Sequence, residues 1–198
     1  DWAVAFTSVT EQWAQFAVAG PKSRELLNGV LDTPVDNDSW PFMACGEVGV
    51  MGVAGRLFRI SFSGEHAYEL AVPADYGSMV ARAVMQAGDE FGITPYGVEA
   101  LSIMRIEKGH VAGGELNGTT TAGDLGMGKM VSTKKDFIGR MMAQRPGLID
   151  PNRQQVVGIR PVDPADRIRS GAHLLKQDDT PSMANDQGYI TGVAWSPM

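Results

Sequence analysis

Apolar and polar positions alternate along some stretches of this chain and recur with helical spacing along others. The stretch WAQFAVA, Trp13–Ala19, predicts a short buried strand. Gly20-Pro21 then opens a helix through KSRELLNGVL, because proline is tolerated in a first turn. Leu26, Leu27, Val30 and Leu31 give that helix an apolar stripe. After the turn-rich loop DTPVDNDSWP, two strands are predicted near 47–53 and 56–62, joined by a tight Ala54-Gly55 turn. SGEH, at 63–66, supplies a hairpin turn into a further strand, AYELAVP. Side chains on a strand point to opposite faces with period two. Tyr68, Leu70 and Val72 therefore share a face suited to a core, while Ala67, Glu69 and Ala71 share the other. Either Glu69 faces water, or its face is covered and the flanking alanines leave a hollow around one charge.

Asp75 is placed to cap a helix in which Tyr76, Met79, Val80, Ala83, Val84, Ala87 and Phe91 recur at helical spacing. Thr94 and Pro95 signal the start of another, ending near Gly109. That helix carries Val98, Ala100, Leu101, Ile103, Met104 and Ile106 on nearly all sides, which predicts burial. This order of elements predicts an α+β fold, a mixed or antiparallel sheet with helices on one face. The glycine- and threonine-rich stretch GHVAGGELNGTTTAGDLGMGKMVS reads as a long irregular connection, and KKDFIGRMMAQ as a short helix. From about Asn152 the segments VVGIRPV, AHLLK and YITGVAW read as short strands of a small β-barrel. The predicted division is a domain at 1–145 and part of a barrel at 152–198, separated by RPGLIDPNR.

Composition narrows the function classes. Hydrophobic residues make up 43% and charged ones 20%, an ordinary globular balance. With a net charge of −6 and scattered Lys and Arg, there is no basic stripe for nucleic acid. No apolar run reaches the roughly eighteen residues of a membrane span, and no signal-peptide pattern opens the chain. A single cysteine, Cys45, allows no intramolecular disulfide and suits a reducing, cytoplasmic setting. Cys45 is expected in the core. His66, His110 and His173 lack metal-ligand spacing; His66 is expected in solvent and His110 at a helix C-terminus. The chain opens Asp1-Trp2-Ala3-Val4 without an initiator Met and closes just after a strand-like run, as a piece of a longer polypeptide would.

Glu69 and Arg105 are the residues that invite chemistry. Arg105 lies inside the apolar helix, and an arginine out of water needs a carboxylate or an anionic ligand. Glu99 and Glu107 lie on other sides of that helix, so a more distant carboxylate is expected. Two readings stay open: an ion pair tying helix to sheet, or a polar site for a planar ligand with several donors. No nucleophile constellation emerges around Cys45 or Ser63.

The ordered set RISFSGEHAYELAVP, GITPYGVEALSIMRIEKG and DLGMGKMV with KKDFIGR resembles the folate-binding aminomethyltransferase family, which includes the glycine cleavage T-protein. GELNGTTTAGDLGMGKMVSTKKDFIGR is most similar to the C-terminal region of the alpha subunits of heterotetrameric sarcosine oxidases. FAVAGPKSRELL and GYITGVAWSPM fit as well, so the resemblance spans nearly the whole chain. It implies a three-lobed fold, of which this chain holds the α+β middle and the start of the C-terminal barrel. By position, Glu69 then binds the pterin ring of tetrahydrofolate, Phe62 walls the folate without a hydroxyl, and Arg105 helps bind or organise it. Tyr68 packs away from the ligand. The family's catalytic Asp falls upstream of Asp1, so no catalytic residue is expected in this piece, and the piece alone is not expected to turn over. Gln154, Gln155 and Val156 stand where the T-protein carries arginines.

The implied chemistry is one-carbon capture: tetrahydrofolate receives the carbon of an oxidised sarcosine iminium, giving 5,10-methylenetetrahydrofolate and glycine. FAD, FMN and NAD are implied elsewhere in the complex, with beta, gamma and delta subunits as partners, and neither membrane nor nucleic acid. Alternatives are an assembly module that has lost its ligand, a dimethylglycine demethylase, or a free-standing glycine-cleavage aminomethyltransferase.

Overall fold

A computed structural model describes residues 3–197. The opening Asp1-Trp2 and the closing Met198 lie outside the described residues. The chain divides between Met104 and Arg105 into two compact units.

The first unit is built on an antiparallel sheet of four strands: β1 (Trp13–Ala19), β2 (Cys45–Val50), β3 (Val53–Phe58) and β4 (Ala67–Pro73). Their spatial order is β1-β4-β3-β2. Register places Phe16, Val18, Leu57, Tyr68, Leu70 and Val72 on one face. Two helices, α1 (Ser23–Asn28) and α2 (Gly77–Gly88), supply Leu26, Leu27, Val80 and Val84 to the same core cluster. Leu57, Tyr68, Leu70, Val72 and Val80 are fully buried. Burying an aliphatic side chain of this size contributes about 1.5–3 kcal/mol, so this face holds the unit together.

The hairpin differs from expectation. Its turn is Met51-Gly52, with φ of 51° and 78°, and Val50 pairs with Val53 across it. Two successive positive φ values match the right-handed strand twist, which is why two-residue hairpins favour them. Gly55 is not a turn residue but a strand position pressed into the core: a Cβ there would lie 2.9 Å from the Ala71 carbonyl oxygen. Asp75 does not cap α2. It sits in a 3₁₀ turn, Ala74–Tyr76, and the helix starts beyond it without a side-chain cap.

The third helix, α3 (Val98–Lys108), begins after Thr94 and Pro95 rather than at them, and its last four residues belong to the second unit. None of its residues is buried, contrary to expectation, because α1 and α2 complete the core cluster without it. Its end closes through Gly109, φ 78°, with Gly109 N donating to the Ile106 carbonyl and His110 N to that of Arg105. This pair of bonds satisfies carbonyls that a helix end leaves orphaned.

The second unit is mostly irregular. The helix expected around KKDFIGRMMAQ shrinks to α4 (Arg140–Ala143), preceded by Gly139 at φ 91°. Strands are reduced to β5 (His173–Leu174) and β6 (Gly188–Tyr189), an antiparallel pair. Residues 156–162 form no strand. Among the described residues no helix is long and apolar enough to cross a membrane, and no cluster of His, Cys, Asp and Glu could hold a metal ion.

Candidate functional site

The face of the sheet opposite the core carries small side chains. Ala17 stands directly across from Glu69 on β1, and Ala19 across from Ala67. Ala67 and Ala71 are buried while Glu69 between them is half-buried. Glu69 is neither buried in a core nor turned fully to water. A hollow of about 170 Å³ lies beside it, floored by Ala17, Ala19 and Ala67. Phe62, Tyr96 and Leu101 line it as well, and Glu69 is the one carboxylate among its lining residues. A cavity of about 150 Å³ accepts a benzene ring, whereas pockets for whole drug-sized ligands run to about 300–1,000 Å³. This hollow is therefore ring-sized.

Two polar groups flank the Glu69 carboxylate. The side-chain amide of Gln15, from β1, donates to its Oε2. Tyr96 lines the hollow from the stretch 93–97, which has no regular structure. Burial, and then the charge of Glu69, push the Tyr96 hydroxyl above its ordinary value, so it remains an O–H donor at neutral pH. Gln15 and Tyr96 were not foreseen. The alanines of β1 were legible as every second residue of WAQFAVA, but the contact between Tyr96 and the strand joins positions far apart in sequence.

Of the expected residues, Glu69 and Phe62 are brought to one hollow. Tyr68 is fully buried in the core cluster, but it also borders the hollow. Arg105 belongs to the second unit, where its Nη1 donates to Glu115 Oε2 at 3.2 Å and to the His110 carbonyl at 3.2 Å. The carboxylate it was expected to need is thus Glu115, ten residues on. Burial acts to raise the pKa of Glu115, but hydrogen bonds from Thr191 and the Ala112 N–H, with the Arg105 charge, hold it below its ordinary value.

A second cavity, about 290 Å³, is lined by Thr119, Thr120, Asp124, Arg153, Gln154 and Tyr189. Its arginine is engaged internally. Arg153 Nη2 donates to Asp124 Oδ2 at 2.6 Å and to the Thr119 carbonyl at 2.8 Å, and Nη1 donates to the Gly147 carbonyl at 3.0 Å. Those bonds push the Asp124 carboxyl down to about 2 against the opposing effect of burial, with Thr121 adding to the lowering. Although larger, this cavity offers no free charge to a ligand.

Two other expectations are corrected. Cys45 is exposed, because it opens the edge strand β2 on the side the helices leave bare. His66 is half-buried and lies 3.2 Å from Arg24 Nη2 and 3.3 Å from the Tyr68 hydroxyl, so it is not a solvated turn residue.

Comparison with known proteins shows the family to which the chain belongs. The chain is 53% identical over 197 residues to the sarcosine oxidase subunit alpha of Rhizobium meliloti, covering 98% of this chain and 20% of that subunit. It is 41% identical over 199 residues to the sarcosine oxidase subunit alpha of Corynebacterium sp. (strain U-96), covering 98% of this chain and 21% of the subunit. An aminomethyltransferase of Shouchella clausii is 29% identical over 197 residues, 98% of this chain and 51% of that protein. The chain thus spans about a fifth of the length of the sarcosine oxidase subunits it matches. Residues 1–135 match the GCVT N-terminal domain, and the chain belongs to that family.

Proposed function

We propose that the first unit receives the pterin head of tetrahydrofolate at Glu69, and that the chain is the folate-binding part of a sarcosine oxidase alpha subunit. The observation that carries this reading is the ring-sized hollow with one half-buried carboxylate beside an alanine floor. A pterin edge offers parallel N–H donors, and an ionised carboxylate has about four acceptor positions, of which Gln15 uses one. Phe62 and Tyr96 supply aromatic walls for a flat ring. The donor set and the size both fit. The remainder of a folate exceeds the hollow and lies outside it.

When bound, tetrahydrofolate supplies the ring nitrogen that takes up the one-carbon unit. What this chain contributes is orientation and effective concentration, which agrees with the lack of a nucleophile constellation in its sequence. Arg105 organises the segment after α3, by holding Glu115 and the His110 carbonyl, rather than serving as a free cation. In this reading the domain continues to about residue 145 and residues from 152 onward contribute to a barrel, of which the described residues hold only the β5–β6 pair. The remaining subunits, and the FAD, FMN and NAD of the complex, belong to the same reading.

Titration of tetrahydrofolate into the complete protein tests it. Glu69→Gln is expected to weaken binding tenfold or more, about 1.4 kcal/mol. Unchanged affinity would place the folate away from Glu69, and no binding to the wild type would leave the fold serving only as an assembly module.

A further inference from the structure

Beside the start of β4 the first unit gathers two arginines and a histidine that folate binding does not use. Arg24, on α1, donates from Nε to the Tyr68 hydroxyl at 2.8 Å and from Nη2 to Asn37 Oδ1 at 2.6 Å. Arg59, just past β3, donates from Nη1 to the same Asn37 oxygen at 3.1 Å and to the Trp40 carbonyl at 2.8 Å. Two half-buried guanidinium groups therefore stand side by side on one neutral amide oxygen. Among the described residues, neither has a carboxylate within the 4.0 Å of an ion pair. Asp36 acts on Arg24 only from farther away. Its Oδ1 is taken up by its own turn, accepting from Asp38 N, Ser39 N and the Ser39 hydroxyl.

This arrangement lacks its anion. Like charges held together repel, and a guanidinium drawn out of water needs a counter-charge. Its planar fork of donors matches the paired oxygens of a carboxylate or phosphate. Arg24 Nη1, and Arg59 Nε and Nη2, have no acceptor among the described residues. The positive field reaches His66, whose imidazole is held below its ordinary value by burial first and then by Arg24 and Arg59. None of Arg24, Asn37 and Arg59 lines the Glu69 hollow.

We propose that Arg24 and Arg59 form an oxyanion site, bridged by Asn37, for a carboxylate or phosphate group. The group comes either from a free anion or from an acidic side chain supplied by the rest of the protein. Amide hydrogen exchange in the complete protein separates these sources, read on peptides spanning 20–42 and 56–70. With a free anion as occupant, inorganic phosphate at constant ionic strength slows exchange severalfold in the wild type and leaves Arg59→Gln unchanged. With an acidic side chain as occupant, phosphate has no such effect. Raising chloride from about 0.05 M to about 1 M then screens an attraction and speeds exchange severalfold, again only while Arg59 is present. The proposal is overturned if phosphate does nothing and high chloride slows exchange or leaves it alone. That is the response of two repelling cations with nothing between them.

Discussion

Gln15 donates its side-chain amide to the carboxylate of Glu69 from the neighbouring strand, two residues along the β1–β4 ladder from the position directly opposite. The bond holds the carboxylate against the sheet with part of its acceptor capacity still free. Gln15→Ala is expected to let Glu69 swing toward water and to lower tetrahydrofolate affinity by about 0.5–1.5 kcal/mol, a smaller loss than Glu69→Gln causes. Parallel titrations of the two variants of the complete protein check the ranking. A larger loss at Gln15 than at Glu69 would contradict it.

Ala17 tests the hollow without disturbing the core. It is exposed on β1, lies across from Glu69, and lines the cavity. Ala17→Leu fills that space from the solvent side, so stability should stay within about 0.5 kcal/mol of the wild type. Ligand affinity should fall tenfold or more. Thermal unfolding measured beside binding distinguishes the two effects; normal binding with a filled hollow would place the ligand elsewhere.

The fold was readable where local pattern and tertiary packing agree. β1 runs over the residues its alternation predicts, and β4 carries its expected core residues, because each strand has one covered face. The hairpin failed for a chemical reason. Met51-Gly52 lacks the Asn-Gly or Asp-Gly signature of its turn type, whereas Ala54-Gly55 imitates a turn while serving as packed strand. The apolar helix α3 misled because an all-round apolar pattern states what a helix needs, not which residues cover it. Half of the site was visible as alanines around one glutamate. The rest, Gln15 and Tyr96, depends on which strand adds beside β4 and on α3 starting at Val98, and no local period encodes either.

That mismatch at the turn makes a stability test. Met51 holds φ of 51°, a left-handed conformation costly for a long side chain. Asn tolerates it and completes the favoured Asn-Gly pair. Met51→Asn should stabilise the hairpin by about 1 kcal/mol, seen as slower amide exchange across 45–58. Faster exchange would mean that the Met51 side chain holds the hairpin through a contact of its own.

The Asp124–Arg153 bond makes the second unit sensitive to acid. The Asp124 carboxyl is held at about 2, below its ordinary 3.8, chiefly by hydrogen bonds from Arg153. As pH falls, the unfolded chain takes up this proton first, so the contribution to stability is full above 3.8 and is lost as pH approaches 2. Glu115, also held below its ordinary value, acts in the same direction. Local unfolding around 119–126, followed by limited proteolysis or amide exchange, should therefore rise steeply between pH 4 and 2. Asp124→Asn should unfold this region more readily at neutral pH, because the Arg153 fork loses its charged partner. It should also flatten the acid response to the slope that Glu115 leaves. An unchanged acid slope in that variant would show that Asp124 takes up its proton alike in the folded and unfolded chain, and that its bond to Arg153 is not the acid-labile contact.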